Sequence, residues 1–170
     1  MKKSLWFTMT TATLASALTL GAVVASAGTS GAHFFSATSS VNDAGALVVS
    51  WDEAGLGNGN INYVMTADAT ATFACINSGG NHPKAANKET LMDQVSSGGS
   101  FKTENGRVRG SLTAGPLSSG GFTCPSGQTL VLACVSYENI LLKDTNNNVS
   151  TEVPDASRSF VPSGLVGGCG

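Results

Sequence analysis

Charge is scarce in this chain. Only 12% of its 170 residues are Asp, Glu, Lys or Arg, roughly half the share usual in soluble domains. With 41% apolar residues beside so few charges, a disordered, self-solvating chain is excluded. The formal net charge of −2 provides no bulk positive field, so nucleic acid is not an expected partner. Metal signatures are missing too. There is no C-x-x-C pair, and His33 and His82 are the only histidines, which argues against a structural zinc cluster. Neither a G-x-S-x-G elbow nor a Cys–His signature is present, and Gly57-Asn58-Gly59 and Gly79-Gly80 lack the basic, helix-opening context of a phosphate loop. No Gly/Ser linker splits the chain and no repeat is detectable, so one small domain fits the length. None of this implies a cofactor.

What is present begins with a leader. Met1-Lys2-Lys3 is positively charged, Leu5 to Val24 is mostly apolar, and Ala25-Ser26-Ala27 has the small-x-small form of a cleavage site. Residues 1–27 therefore read as a secretory signal peptide. The threonines at 8, 10, 11, 13 and 19 dilute the apolar run and no charged stop-transfer segment follows, which disfavours a permanent membrane helix. Residues 28–170 are expected as a single secreted domain with a flexible Gly-rich C-terminal tail, soluble and extracellular, without a membrane contact after cleavage. Loss of Lys2 and Lys3 leaves seven basic residues against eleven acidic ones, a net charge of about −4.

All four cysteines lie beyond the leader, at 75, 124, 134 and 169. An even number in an exported chain is most simply two disulfides. Three connectivities are open, and the preferred one joins Cys75 to Cys124 and Cys134 to Cys169. Cys75 ends a strand-like run and Cys124 precedes another, while Cys169 sits in a tail able to swing back to the sheet.

Turn residues recur at intervals of roughly ten, the pattern of many short strands. Phe34–Val41 and Ala46–Trp51 flank Asn42-Asp43-Ala44-Gly45 as a hairpin. From Ile61 to Cys75 apolar residues occupy every second position opposite Asn62, Thr66, Asp68, Thr70 and Thr72, which is a strand by period. Its alanine-rich middle is the expected place for a bulge or bend. Pro83 could open a helical turn running to Glu89; Leu91–Val95 reads as a short strand, and Ser96-Ser97-Gly98-Gly99 as a turn. Asn105-Gly106 suits a two-residue hairpin between Phe101–Glu104 and Arg107–Thr113. Gln128–Lys143 is apolar on both alternations, as in a central strand covered on both faces. Asp144–Asn148 then turns into Val149–Val153, and Arg158–Val161 could add an edge piece. Seven to eight short strands with scarcely any helix imply an all-β, antiparallel two-sheet sandwich, with an immunoglobulin-like arrangement among the options.

In the Asn105-Gly106 hairpin, Glu104 would face Arg107, and Lys102 would face Arg109. The second pair repels, and so invites an acidic neighbour or an anionic ligand. Lys102, Arg107 and Arg109 are therefore the candidate ligand-binding residues. Asp144, Asn146 and Asn148 match the opening of a calcium loop, with Ser150, Glu152 and Asp155 at its later positions. Val149 replaces the required glycine and Asp155 the final glutamate, so an Asn-rich turn explains the segment better. Asn148-Val149-Ser150 is also a glycosylation acceptor pattern. Trp51 shares its parity with Leu47 and Val49, which places it in the core and not on a sugar-stacking surface. Asp52 and Glu53 alternate faces, which weakens a two-carboxylate glycosidase reading.

Four segments carry a resemblance: Val48–Asn60, Tyr63–Cys75, Gly79–Lys88 and Cys124–Leu132. With these the chain resembles uncharacterised small secreted β-sandwich proteins of actinobacterial type, a group that implies no activity. In being small, acidic, Gly/Ala/Thr-rich and twice cross-linked it is also similar to neocarzinostatin-like carrier proteins, which implies an apolar cleft between the sheets. The expected function is a non-catalytic extracellular binding or surface-associated protein whose partner is an anionic cell-wall polymer, a glycan or an extracellular protein. The alternatives are a small-molecule carrier, which requires that cleft, and a secreted hydrolase, which requires His82 beside a nucleophile or two carboxylates in one pocket.

Overall fold

The computed structural model describes residues 31–77 and 87–161. The expected leader, the tail, His82 and Cys169 lie outside them. Eight strands follow one another: β1 (His33–Val41), β2 (Leu47–Ala54), β3 (Asn60–Asn77), β4 (Lys88–Lys102), β5 (Arg107–Ala114), β6 (Gln128–Asp144), β7 (Val149–Val153) and β8 (Ala156–Ser159). They form two antiparallel sheets, β1-β2-β5 and β4-β3-β6-β7, with β8 paired to β6 beyond the end of β7. This is the constant-type immunoglobulin arrangement with its fourth strand moved to the edge of the other sheet. Among the described residues no helix is long and apolar enough to cross a membrane.

β3 follows its sequence pattern closely. Ile61, Tyr63, Met65, Ala67, Ala69, Ala71, Phe73 and Cys75 are all buried, because an unbroken period of two puts every odd residue on the core face. The paired strand β6 accommodates the alanine run with two bulges. Thr66 pairs with Leu141 but Asp68 with Glu138, and Thr72 pairs with Cys134 but Phe73 with Leu132, so each time β6 carries an extra residue. At the first bulge Asn139 takes a left-handed φ of 52°, which Asn tolerates, and its amide donates to Asp68 Oδ2 at 2.9 Å.

The expectation that β6 is covered on both faces holds only near its start, where Ala133 and Ala74 are buried in a second, smaller cluster with Val131 and Val161 packed against them; further along, the outer face is open. The strand is central, but its two-phase apolar pattern comes mainly from changes of phase. Leu130 and Leu132 pack on the core, then Val135 and Tyr137, then Ile140, Leu142 and Asp144, while Glu138, Leu141 and Lys143 are exposed.

Two turn expectations are also corrected. Asn87 has the 3-10 conformation of a helical turn, but Lys88 and Glu89 already open β4, so the turn ends two residues earlier than expected; residues 83–86 lie outside the described ones. Ser96-Ser97-Gly98-Gly99 is strand interior, paired with Thr66 back to Tyr63. A side chain at Gly99 would stand 2.9 Å from the Phe101 ring and 3.3 Å from Leu112. Glycine is needed there for packing, not for turning.

The core between the sheets holds an aromatic cluster at the β5 entry end. Trp51 lies 4.7 Å from Tyr63 and 5.0 Å from Phe101, and Phe34 lies 6.4 Å from Tyr63, ring centre to ring centre. Beside it two carboxylates are fully buried, Glu53 from β2 and Asp144 from β6. Tyr63 Oη donates to Glu53 Oε2 at 2.6 Å, and Glu53 Oε1 has no hydrogen-bond partner. Burial, followed at a distance by the neighbouring Asp144, pushes the Glu53 carboxyl up to about 7. Asp144 is occupied otherwise: Oδ1 accepts the backbone N–H groups of Asn146 and Asn147, and Oδ2 the Asn147 amide.

The expected Cys75–Cys124 disulfide is present, with Cα atoms 5.5 Å apart and a sequence separation of 49. Closing a loop of that length stabilises by about 4 kcal/mol on the chain-entropy model. The proposed partner of Cys134, Cys169, lies outside the described residues, among which no cysteine is free.

Candidate functional site

The site grows out of the point where the chain leaves one sheet for the other. Thr103 is buried, its N–H and hydroxyl both donate to Gly59 O, and its hydroxyl accepts the Gly59 N–H. Asn105 and Gly106, at φ 53° and 72°, form the primed turn that this dipeptide favours. Glu104 and Arg107 exchange two backbone hydrogen bonds across it. There the hairpin stops. The bridge is isolated: Lys102 pairs with Asn60 in the five-stranded sheet, and Arg109 with Asp52 in the three-stranded one. The expected cross-strand repulsion between Lys102 and Arg109 is therefore not a ladder contact, because β4 and β5 diverge into different sheets directly after the turn.

The acidic neighbour that the two arginines invite is Asp52 of β2. Arg107 grips it with Nε and Nη2, the latter at 2.6 Å, and Arg109 Nε reaches Oδ2 at 3.1 Å. Hydrogen bonding from Arg107 above all, with Arg109 assisting, holds the Asp52 carboxyl well below its usual range, near 2, and Asp52 in turn raises Arg107. Arg109 keeps 74% of its side chain exposed. Lys102 is exposed, and among the described residues no carboxylate pairs with it. Lys102, Glu104, Asn105, Arg107 and Arg109 together line an open groove of about 520 Å³. The three basic residues singled out in the sequence thus meet in one place, by a route different from the one expected.

Two members of this surface were not found by sequence reasoning. Asp52 was read only as half of a carboxylate pair. Phe35 was not singled out at all, yet it is 61% exposed and the Arg107 guanidinium lies 4.7 Å above its ring. A bulge throws it outward: Phe34 pairs with Glu53 and Ser36 with Asp52, so Phe35 has no partner across the ladder. His33 flanks it at 4.8 Å, tilted by 51°. The available signal was the Phe34-Phe35 doublet itself, since adjacent residues of a strand cannot both face the core.

The calcium-loop residues do not converge. Asp144 points into the core with its oxygens committed to the turn, and Asn146 Oδ1 accepts the Asn62 N–H at 2.8 Å. Asn148 is exposed at φ 55° in the turn. Asp155 lies beyond the other end of β7, lining a separate groove with Asn139 and Ile140. Four residues of strand, about 13 Å, separate Ile140 from Asp144. Trp51 is buried, as its parity required, and Asp52 and Glu53 face opposite sides of β2. Glu53 and Asp144, the two carboxylates that do come together, have no accessible surface, so a substrate has no route to them in this conformation. At the site end the space between the sheets is filled by Phe34, Trp51, Tyr63 and Phe101, where a carrier would need room. Comparison with family models, with curated proteins and with solved structures returns no match to this chain.

Proposed function

We propose that this is a non-catalytic extracellular binding protein that takes an anionic partner in the groove between Lys102 and Arg109. The observation carrying this reading is the convergence of Lys102, Arg107 and Arg109 on one open groove with Asp52 as the inner counter-charge. Asp52 orders both arginines without consuming them, and Lys102 is left to the groove. Secretion accords with the leader-like residues 1–27 and with a disulfide, a bond that persists in oxidising compartments. Exposed charges of this kind steer association and weaken with salt.

The test is retention of the mature protein on an immobilised anionic polymer at low and physiological salt. The double reversal Lys102→Glu/Arg109→Glu should abolish retention, with a thermal melt to establish that the fold is kept. Unchanged retention would overturn the proposal.

A further inference from the structure

The groove continues onto the outer face of the three-stranded sheet. Reading across β1, β2 and β5, the outward residues form three rows: Ser36–Asp52–Arg109, Thr38–Ser50–Ser111 and Ser40–Val48–Thr113. Six of the nine are hydroxyl-bearing, and all six are exposed. Neighbours stand about 4.8 Å apart across strands and rows about 7 Å apart along them, so the hydroxyls make a regular polar grid. Phe35 stands at its charged end, held by Arg107 on one side and His33 on another. The Arg107 contact is a favourable cation–π interaction that holds the exposed Phe35 ring in one orientation, so the ring is a preset platform beside the hydroxyl grid.

We infer that the occupant of this face is an acidic polysaccharide built from uronate sugars, with a sugar ring on Phe35, its carboxylates at Arg109 and Lys102, and its hydroxyls over the Thr38–Ser50–Ser111 row. This rests on the anion-binding reading above and names the partner within it. Charge complementarity selects an anion, and the ring and the hydroxyl grid select a sugar over an acidic peptide. A peptide carboxylate uses the basic groups equally well but offers no C–H face to stack on Phe35 and few hydroxyls to exchange hydrogen bonds with the grid. Aromatic side chains present such a face at little entropic cost, since only two torsions are fixed.

The experiment compares polygalacturonate with poly-L-glutamate as probes for the wild-type protein, Phe35→Ala, and Lys102→Gln/Arg109→Gln, by calorimetry at two salt concentrations. Phe35 is exposed, so its truncation should leave the melting temperature nearly unchanged. The expected result is tighter binding of polygalacturonate than of polyglutamate, weakened tenfold or more by Phe35→Ala, while both probes are lost in the double variant. Equal binding of the two probes with no effect of Phe35→Ala overturns the glycan assignment and leaves the anion reading standing. Binding of polyglutamate alone does the same. Failure of both probes to bind the wild type overturns both readings.

Discussion

Replacing Glu53 by Gln should make the protein more stable at neutral and alkaline pH. The carboxyl is buried between the sheets, with Tyr63 from β3 donating to Oε2, no hydrogen-bond partner on Oε1, and the Asp144 carboxylate of β6 as a like-charged neighbour. Below pH 4.5 both the folded and the unfolded chain hold the proton, and it costs nothing. As the pH rises from 4.5 towards 7 the unfolded chain releases it while the folded chain keeps it, so stability falls; above about 7 the loss is complete. Raising the group from 4.5 to about 7 corresponds to about 3 kcal/mol. Glutamine keeps an acceptor for Tyr63 and offers an amide to Asp144, but cannot ionise. Thermal melts of both proteins from pH 4 to 8.5, with the disulfide intact, should therefore separate progressively. By pH 8 the variant should have gained about 3 kcal/mol on the wild type relative to pH 4, roughly 10 °C in Tm for a domain this size. Subtracting one curve from the other removes the titrating groups that do not interact with Glu53. A difference that stays constant with pH would refute the reasoning.

Two further outcomes test the packing. Deleting Asn139 removes the bulge and turns Ile140, Leu142 and Asp144 to the outside of the sheet, so no cooperative unfolding transition should remain. Asn139→Gly, which suits the same φ and loses only the bond to Asp68, should cost about 1 kcal/mol by urea denaturation; an Asn139 deletion that melts like the wild type would contradict the assigned register. Gly110→Ala places a methyl 2.6 Å from the Trp51 ring and 3.0 Å from Phe101, which should destabilise by about 1–3 kcal/mol, read as a lower denaturant midpoint; no change would mean that the aromatic cluster yields freely.

The legible parts of this molecule are those where one register runs unbroken. β3 could be assigned residue by residue because its inward residues never change parity from Ile61 to Cys75, and Trp51 could be placed because β2 does the same. β6 could be recognised as a central strand, but not its inward face, because a bulge changes the phase without changing composition. For the same reason the burial of Asp144 was hidden: read alone, Asp144-Thr145-Asn146-Asn147 is a turn, and only the extra residue at Asn139 aims its carboxylate inward. The basic residues were found from their positions around Asn105-Gly106. That turn was recognisable from two residues, whereas the departure of β4 and β5 into separate sheets depends on pairing with Asn60 and Asp52, more than forty positions away in the chain.

That departure has a mechanical consequence. Lys102 is anchored in one sheet and Arg109 in the other, so a polyanion held by both would lie across the seam between them as a clasp. Pulling the sheets apart would then require breaking the ligand's contacts as well as the core. Occupancy would raise resistance to unfolding by mass action, about 2.7 kcal/mol at a ligand concentration one hundred times Kd. A partner bound here would reinforce the domain under load at the end where the two sheets are joined only by the short β2–β3 loop and the Asn105-Gly106 turn.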